Sequence, residues 1–558
     1  MVAAGHGLEA MRRRPGGWAA RAPRAGVARL AWVALGVALM GGACDRGPGR
    51  PAASQAAARW EHRFTPTPAL DRMDAEICFH GRVPPLLEPQ TARLRDLLTD
   101  IVRVHQGETS PLTMGARGIE LATVAPGDCV RYAVDLAGVT AVDVLAYRRR
   151  ASGWRYGDDL MLSPDYYLLR PTGSLEDVSL RARFELPPGV NVLVPWPRLD
   201  GAPAATVADT AGPYRIPTTS FTWRIHGALG RFDIDVIEVA GARLRVAVLG
   251  PDWQVERRLL LDWLAEAATA VAGLYHGFPE PEAQILVVPA PGGRVAHGNA
   301  AQGGGPSIAL MVGTEITQAA MRADWVAVHE LLHLGMPTVD NSARWLTEGM
   351  ATYYEPLLRA RAGWITPRQA WEILHDGFQR GSARGSGRTL AEESRDMNET
   401  HEYWRVYWAG AAIAMIADVT LRAHADAPTL DDQRRAIRAC CLRSTRTWSA
   451  EALLDAIRAP GSAPAQNPVP DLAGLARAYP GQEAFPDLAA TYAALGLRFD
   501  DQGRLLDTPE AQRAEARALR AALIDRSPRR PASADSRAGS DVRSVTAPSA
   551  SPPAHSGR

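Results

Sequence analysis

The chain of 558 residues has little net charge, few cysteines and no long apolar run. A formal net charge of +1 gives no bulk attraction to nucleic acid or to an acidic substrate, so neither kind of partner is expected. No internal repeat is found, and we therefore expect no repeat architecture. With 46% apolar and 22% charged residues, the composition is that of a globular protein long enough for several domains.

The N-terminus has the pattern of an export signal. Arginines precede the apolar run 30–40, and small residues then lead into Cys44. The run is too short for a comfortable transmembrane helix. A cysteine directly after small residues resembles a bacterial lipoprotein site, although Gly41 stands where that motif usually has leucine. The resemblance implies that Cys44 is lipidated, with simple secretion or an uncleaved anchor as alternatives.

These features predict a lipoprotein-type signal peptide at 1–43 and a linker at 44–59. The protein is then expected in the cell envelope of a bacterium, anchored to a membrane by its lipid, or otherwise periplasmic or secreted. In such a compartment Cys78 and Cys129 can pair with each other. For the adjacent Cys440 and Cys441, buried free thiols are at least as good an interpretation as a disulfide.

The rest of the chain divides by pattern. Residues 60–250 show short alternating runs punctuated by proline and glycine, which predict an antiparallel, sandwich-like β domain. Residues 251–525 are predicted to form an α/β part (251–340) and a mostly helical part (341–525). Residues 526–558 are rich in Ser, Pro, Ala and Arg and are predicted to be a disordered tail. The fold class expected is thus α+β and multidomain.

One helical stretch, "HELLH", has the spacing of a zinc site. His329 and His333 lie four residues apart, so they project from the same helix face. Two imidazoles on a rigid helix suit zinc, which accepts nitrogen ligands and keeps an open position in catalytic sites. Glu330 lies beside the metal position, which suits a general base. A chance match on a buried helix is the alternative.

A third ligand is indicated by "RWLTEGMATYYE", which follows after a short loop. Glu348 lies in the first turns of this second helix, and a carboxylate there completes a site of two histidines and one glutamate. An exposed carboxylate favoured by the helix dipole is the alternative. The apolar neighbours Trp345, Leu346 and Met350 favour burial, and a buried carboxylate needs a charged partner.

Together, His-Glu-x-x-His and the following Trp-Leu-x-Glu-Gly resemble the gluzincin metallopeptidases, in particular the glycyl aminopeptidase family and the related aminopeptidase N family. The helix "VYWAGAAIAMIADVTLR" is similar to the Tyr-x-x-Gly helix of these families. The resemblance implies a thermolysin-like catalytic domain, one zinc ion held by His329, His333 and Glu348, and Tyr407 as donor to the oxyanion, with Tyr403 as the nearby alternative.

The pattern departs from the family at one position. In the glycyl aminopeptidase branch a glutamate before His-x-Asn binds the free amine of the substrate, and Ala296 occupies that place here. His297 and Asn299 remain as candidate substrate-binding residues. Gly304 is a third candidate, in a glycine-rich run expected at the rim of the cleft. A phosphate loop is not expected there, because no Gly-Lys-Ser/Thr follows that run.

The function expected is that of an exported zinc-dependent peptidase. It would hydrolyse peptide bonds of a peptide or protein by metal-activated water, with Glu330 as the general base. Whether the enzyme trims from the amino end or cuts internally is left open by the missing glutamate. The alternative is a non-catalytic envelope lipoprotein that binds peptides or proteins with a peptidase-like fold.

Overall fold

The computed structural model describes residues 58–140, 153–199, 210–457, 470–524 and 542–544. The predicted signal peptide, nearly all of the predicted linker and the predicted lipidation site Cys44 lie outside these residues. The described residues all belong to one compact unit. Within the described ranges, none of the helices combines the length and the apolar character needed to cross a membrane.

The N-terminal part is built mainly from short strands. They are β1 (Ala58–Pro66), β2 (Arg72–His80), β3 (Leu86–Glu88), β4 (Leu98–His105), β5 (Glu108–Pro111), β6 (Ile119–Glu120), β7 (Cys129–Asp135), β8 (Gly153–Tyr156), β9 (Asp159–Leu162), β10 (Arg170–Pro171), β11 (Val178–Phe184), β12 (Asn191–Leu193), β13 (Tyr214–Arg215) and β14 (Ala228–Gly230), with two short helices, α1 (Ala92–Leu97) and α2 (Leu136–Thr140).

These strands form a seven-stranded sheet in the order β13-β11-β1-β2-β7-β4-β5 and two smaller sheets, β10-β3-β6 and β12-β14-β9-β8. In β1 every second side chain is buried, including Trp60 and Phe64, because one face of the strand covers the core. The sheet is mixed: β1 pairs in parallel with β11, where the sequence predicted antiparallel strands. Alternation reports which face is buried and carries no information on strand direction.

A fourth sheet, with six strands, positions the candidate site. Its strands are β15 (Ile234–Val239), β16 (Ala242–Val248), β17 (Glu282–Ala290), β18 (Val295–Ala301), β19 (Ser307–Gly313) and β20 (Val542–Ser544). The order is β18-β19-β17-β16-β15-β20, with β16, β17 and β19 parallel and β18 antiparallel at one edge. The helix α3 (Arg257–Tyr275) connects β16 to β17, and its buried face belongs to the same core as these strands.

The ends of this sheet differ from the expected domain limits. The hairpin β15–β16 pairs with β17, so the predicted boundary at residue 250 falls inside the sheet. A hairpin has the same alternating pattern in either sheet, and its membership is decided by distant pairing. In the predicted tail, β20 pairs with β15, and the rest of 526–558 lies outside the described residues.

Helices make up the remainder. They are α4 (Gln318–Ala323), α5 (Val326–His333), α6 (Arg344–Arg361), α7 (Pro367–Ser382), α8 (Leu390–Thr400), α9 (Tyr403–Arg422), α10 (Leu430–Cys441), α11 (Ala450–Ala456), α12 (Leu472–Ala476), α13 (Ala489–Leu495) and α14 (Ala514–Ile524). Capping boxes begin α7, α8 and α10, where Thr366, Thr389 and Thr429 accept from backbone N–H groups of the first turn. The α+β, multidomain fold class with a helical C-terminal part is confirmed.

Two helices, α6 and α9, cross at a contact between glycines. A Cβ atom on Gly349 would lie 2.3 Å from the carbonyl carbon of Gly410, and a Cβ atom on Gly410 would lie 2.0 Å from the carbonyl oxygen of Trp345. Only a residue without a side chain permits this approach. The contact therefore fixes the distance between α6, which carries Glu348, and α9, which carries Tyr407.

Both cysteine pairs are bonded in the structure. Cys78 on β2 lies directly opposite Cys129 on β7, and their Cα atoms are 4.0 Å apart. Cys440 and Cys441, at the end of α10, also form a disulfide. Of the two interpretations of this pair, the structure therefore has the disulfide and not the free thiols.

Candidate metal centre

The helix α5 brings two imidazoles together with a carboxylate from α6. The Nε2 atoms of His329 and His333 are 3.2 Å apart. An Oε2 atom of Glu348 lies 3.3 Å from Nε2 of His329 and 3.2 Å from Nε2 of His333. Within the described residues, His329, His333 and Glu348 therefore form a group whose ligand atoms are close enough to bind one metal ion.

The spacing of these three atoms fits zinc. Four ligands placed tetrahedrally at 2.0–2.1 Å from an ion are separated from one another by about 3.3 Å. The three observed distances have this value, and two nitrogens with one carboxylate oxygen are a donor set that zinc accepts. His329, His333 and Glu348 would hold the ion, as the sequence predicted.

The electrostatics of the triad are those of an ionised carboxylate beside basic groups. Burial alone would raise the pKa of Glu348, but His333 and His329 hold it well below its usual value. Burial likewise opposes protonation of His333, yet the Glu348 carboxylate raises the pKa of that imidazole above its ordinary value. The site thus concentrates negative charge and lone pairs at the point where a cation would bind.

Glu330 lies between α5 and the edge strand β18. Its Oε2 atom accepts a hydrogen bond from the backbone N–H of Ala300 at 2.8 Å, and its side chain is buried. The strand comes this close because residue 298 is a glycine: a Cβ atom there would lie 2.4 Å from Cγ of Glu330 and 2.6 Å from Cγ1 of Val326. Gly298 was missed in the sequence, although an isolated glycine in a strand is a signal of close approach.

Of the two candidate tyrosines, Tyr407 contacts the triad. Its ring stacks on that of His329 with centroids 5.9 Å apart and planes 11° from parallel. Burial first, and then the nearby carboxylates of Glu348 and Glu330, raise the pKa of Tyr407 well above its ordinary value, so the hydroxyl remains a donor. Tyr403 is more exposed, and its hydroxyl lies 3.5 Å from Oδ1 of Asn398.

The predicted substrate-binding residues His297 and Asn299 lie on β18. Oδ1 of Asn299 accepts from the Arg224 guanidinium at 3.1 Å, and its backbone oxygen lies 3.1 Å from Nε2 of His226. The pKa of His297 is lowered, mainly because its ring is partly withdrawn from water. The negative charge of Glu330 acts in the opposite direction, and the positive charge of Arg224 lowers the pKa further. Both predicted residues are thus close to the general-base candidate and to the N-terminal part.

Gly304 is placed differently from the prediction. Its backbone N–H donates to Oγ1 of Thr219, and a Cβ atom on it would lie 2.7 Å from atoms of Ser220 and Trp196. With a φ of +73° it occupies a conformation that favours glycine. Gly304 belongs to a buried joint with the N-terminal part, so the expectation of an exposed cleft rim is corrected.

The glutamate that would bind a substrate amine has no replacement nearby in sequence. Ala296 is exposed on β18. Two glutamates elsewhere in the sequence, Glu315 and Glu355, could supply such a carboxylate if the fold brought them to the site. Glu355 is buried and accepts a hydrogen bond from Arg359 at 2.6 Å. Glu315 is exposed beyond the end of β19. Glu355 is therefore already committed to a partner inside the protein.

The C-terminal end of α5 is held by side chains from other elements. Nε2 of Gln302 donates to the backbone oxygen of Met336 at 2.6 Å, and the buried guanidinium of Arg434 donates to that of Leu332 at 3.2 Å. Nε2 of Gln302 also lies 3.4 Å from the backbone oxygen of His333, one of the carbonyl groups that the end of a helix leaves without an intrahelical partner. The hydrogen bonds from Gln302 and Arg434 hold the turn that carries His333. They join residues distant in the sequence, so no local sequence pattern predicts them.

Comparison with known proteins bears on the fold. No protein-family model and no curated protein matches the sequence. A solved structure of an aminopeptidase N family protein from Idiomarina loihiensis is similar, with a TM-score of 0.61 and 15% identity over 81% of this chain and 82% of that chain. An M1 zinc metallopeptidase from Deinococcus radiodurans matches with a TM-score of 0.47 and 16% identity over 78% of this chain and 96% of that chain, a similarity too low to support an argument. The protein therefore has the fold of an aminopeptidase N family protein.

Proposed function

We propose that this protein is a zinc-dependent peptidase. The observation that supports the proposal is the triad of His329, His333 and Glu348, whose three ligand atoms lie 3.2–3.3 Å from one another. Glu330 lies on α5 beside two of the ligands and is hydrogen-bonded to β18, and Tyr407 on α9 stacks on His329. These positions suit a general base and an oxyanion donor. The fold is that of a family of peptidases, which agrees with this chemistry.

The protein residues divide the work of peptide-bond hydrolysis between them. When bound, zinc supplies Lewis acidity toward the scissile carbonyl and toward a water molecule. Glu330 takes the proton of the attacking water on the oxygen that is not bonded to Ala300, and it passes that proton to the leaving amine. Tyr407 donates a hydrogen bond from its hydroxyl group to the oxyanion, because its raised pKa keeps the hydroxyl protonated.

A comparison of two glutamate variants tests the proposal. We expect Glu330→Gln to bind one zinc per chain, as the unmodified protein does, and to lose peptide cleavage. Glu282→Gln serves as the matched control, because Glu282 is exposed at the start of β17 in the same sheet. Zinc content is measured by mass spectrometry of the metal, and cleavage by mass spectrometry of a digested peptide mixture. Cleavage by Glu330→Gln at the unmodified rate would refute the role of the base.

The same digestion distinguishes an aminopeptidase from an endopeptidase. The exposed Ala296 offers no carboxylate to a free amine, so we propose internal cleavage. Each peptide is supplied with a free and with an acetylated amino terminus. Equal rates for the two forms support an endopeptidase, and cleavage of the free form alone would overturn it.

We also propose that the protein is exported and lipidated on Cys44. The sequence 1–43 supports export, and the disulfide between Cys78 and Cys129 is of a kind that persists in oxidising compartments. Labelling of the expressing cells with a radioactive fatty acid tests this. Label on the unmodified protein and none on Cys44→Ser is the expected result, and equal label on both would contradict it.

A further inference from the structure

Exposed aromatic side chains are concentrated at the metal centre. Within the described ranges, the large apolar side chains that stand out as exposed are Leu199, Trp325, Tyr403, Trp404 and Leu506. Trp325 is 48% exposed and Tyr403 is 37% exposed. Single exposed apolar residues are ordinary on a protein surface. These two are distinguished by the groups that they contact.

Trp325 and Tyr403 are joined to the triad by ring contacts. The Trp325 ring meets the ring of His329 edge-on, with centroids 5.3 Å apart. Tyr407 stacks on the same imidazole, and Tyr403 meets Tyr407 edge-on at 6.4 Å. The four rings thus form a continuous aromatic series with an exposed member at each end.

The two exposed rings come from the starts of different helices. Trp325 immediately precedes α5, which carries the metal ligands, and Tyr403 is the first residue of α9, which carries Tyr407. The neighbouring Trp404 has a separate explanation, because the Arg380 guanidinium of α7 lies 4.8 Å from its ring centre. The two exposed rings that remain are therefore Trp325, which contacts His329, and Tyr403, which contacts Tyr407.

We propose that Trp325 and Tyr403 determine specificity by binding aromatic or large aliphatic side chains of a peptide on the two sides of the scissile bond. This inference rests on the proposed peptidase function. Aromatic rings offer a large apolar area and prefer edge-on or offset contacts with other rings, and both exposed rings already meet their neighbours edge-on. A peptide side chain placed there would extend the aromatic series.

Two peptides that differ at one position test the inference. One carries phenylalanine and the other alanine next to the cleaved bond, on each side in turn. Trp325→Ala and Tyr403→Ala are each expected to lower kcat/KM for a phenylalanine peptide by about tenfold or more, and for the alanine peptide by less than about twofold. Leu506→Ala is the matched control, because Leu506 is 41% exposed and lies outside the ring series. An equal fall for both peptides would overturn the inference.

A binding measurement separates this inference from the proposed function. Calorimetry on Glu330→Gln, which retains the triad, compares the phenylalanine and alanine peptides with and without the added Trp325→Ala or Tyr403→Ala. Tighter binding of a phenylalanine peptide that depends on either ring supports the inference, even if the unmodified protein cleaves nothing and the peptidase proposal fails. Equal binding of the two peptides refutes it, even if both are cleaved.

Discussion

The contact between α6 and α9 predicts the effect of a single methyl group. Gly410→Ala would place a Cβ atom 2.0 Å from the carbonyl oxygen of Trp345 and 2.8 Å from Cα of Gly349. Real Cβ atoms keep at least 3.0 Å from such atoms. Since both neighbours are backbone atoms, neither can rotate away, and the helices must separate by roughly 1 Å to accept the methyl group.

The magnitude follows from two opposing terms. Overpacking of a well-packed contact costs about 3 kcal/mol at the upper end of its usual range. The better helix propensity of alanine offsets about 1 kcal/mol of this cost. We therefore expect the free energy of unfolding to fall by about 2 kcal/mol. Activity should fall further, by about a hundredfold, because the separation displaces Glu348 from Tyr407 and catalysis depends steeply on such positions.

Gly273→Ala is the control. Gly273 is an exposed residue of α3, and a Cβ atom there has no heavy atom within 4 Å. The same exchange should therefore stabilise the protein by up to about 1 kcal/mol and leave activity unchanged. Unfolding temperature, zinc affinity and kcat/KM are measured side by side for the two variants. If Gly410→Ala unfolded and cleaved peptide as Gly273→Ala does, the close-packing argument would be refuted.

Three further perturbations test other parts of the structure. Burial raises the pKa of Glu355 to about 7 despite Arg359, so the native state holds this proton more tightly than the unfolded chain, whose value is 4.5. The contribution of Glu355 to the free energy of unfolding is therefore complete below pH 4.5 and is lost as the pH rises through about 7. Glu355→Gln should flatten the pH dependence of the unfolding temperature in this range, and an unchanged slope would contradict the argument. The double variant Cys78→Ser/Cys129→Ser removes a link between residues 51 positions apart, and the loop-entropy model predicts that the free energy of unfolding falls by about 4 kcal/mol. Calorimetry should show a lower unfolding temperature for this variant, and an unchanged temperature would mean that the bond does not form. Tyr407→Phe should lower kcat by about a hundredfold to a thousandfold with zinc content unchanged, and a kcat within threefold of the original would exclude the oxyanion role.

The three ligands and the base candidate were predictable because their arrangement is mostly local. A spacing of four residues on a helix places His329 and His333 on one face wherever that helix lies. The short loop and helix that follow leave Glu348 few places except against the first helix. The observed nitrogen and oxygen distances agree with that reading.

What the sequence did not predict depends on contacts between distant segments. Gly349 and Gly410 belong to two separate motifs, and neither motif shows that the glycines touch each other. Gly304 has the same neighbours in sequence whether it forms a rim or a buried joint, and only Thr219, far away in the chain, decides between them. Trp325 likewise has no distinguishing pattern, since its importance lies in a ring contact and in its exposure.

The joint at 303–305 bears on whether the two parts of the chain are separable modules. The backbone N–H of Gly303 donates to the carbonyl oxygen of Arg224 at 2.7 Å, while Arg224 and His226 also hold Asn299 on β18. The same strand holds Glu330 through Ala300. A fragment that began after the N-terminal sheets would keep His329, His333 and Glu348 but lose the contacts that support the strand bonded to Glu330. The β-rich part therefore supports the candidate site through β18, and the two parts are not independent modules.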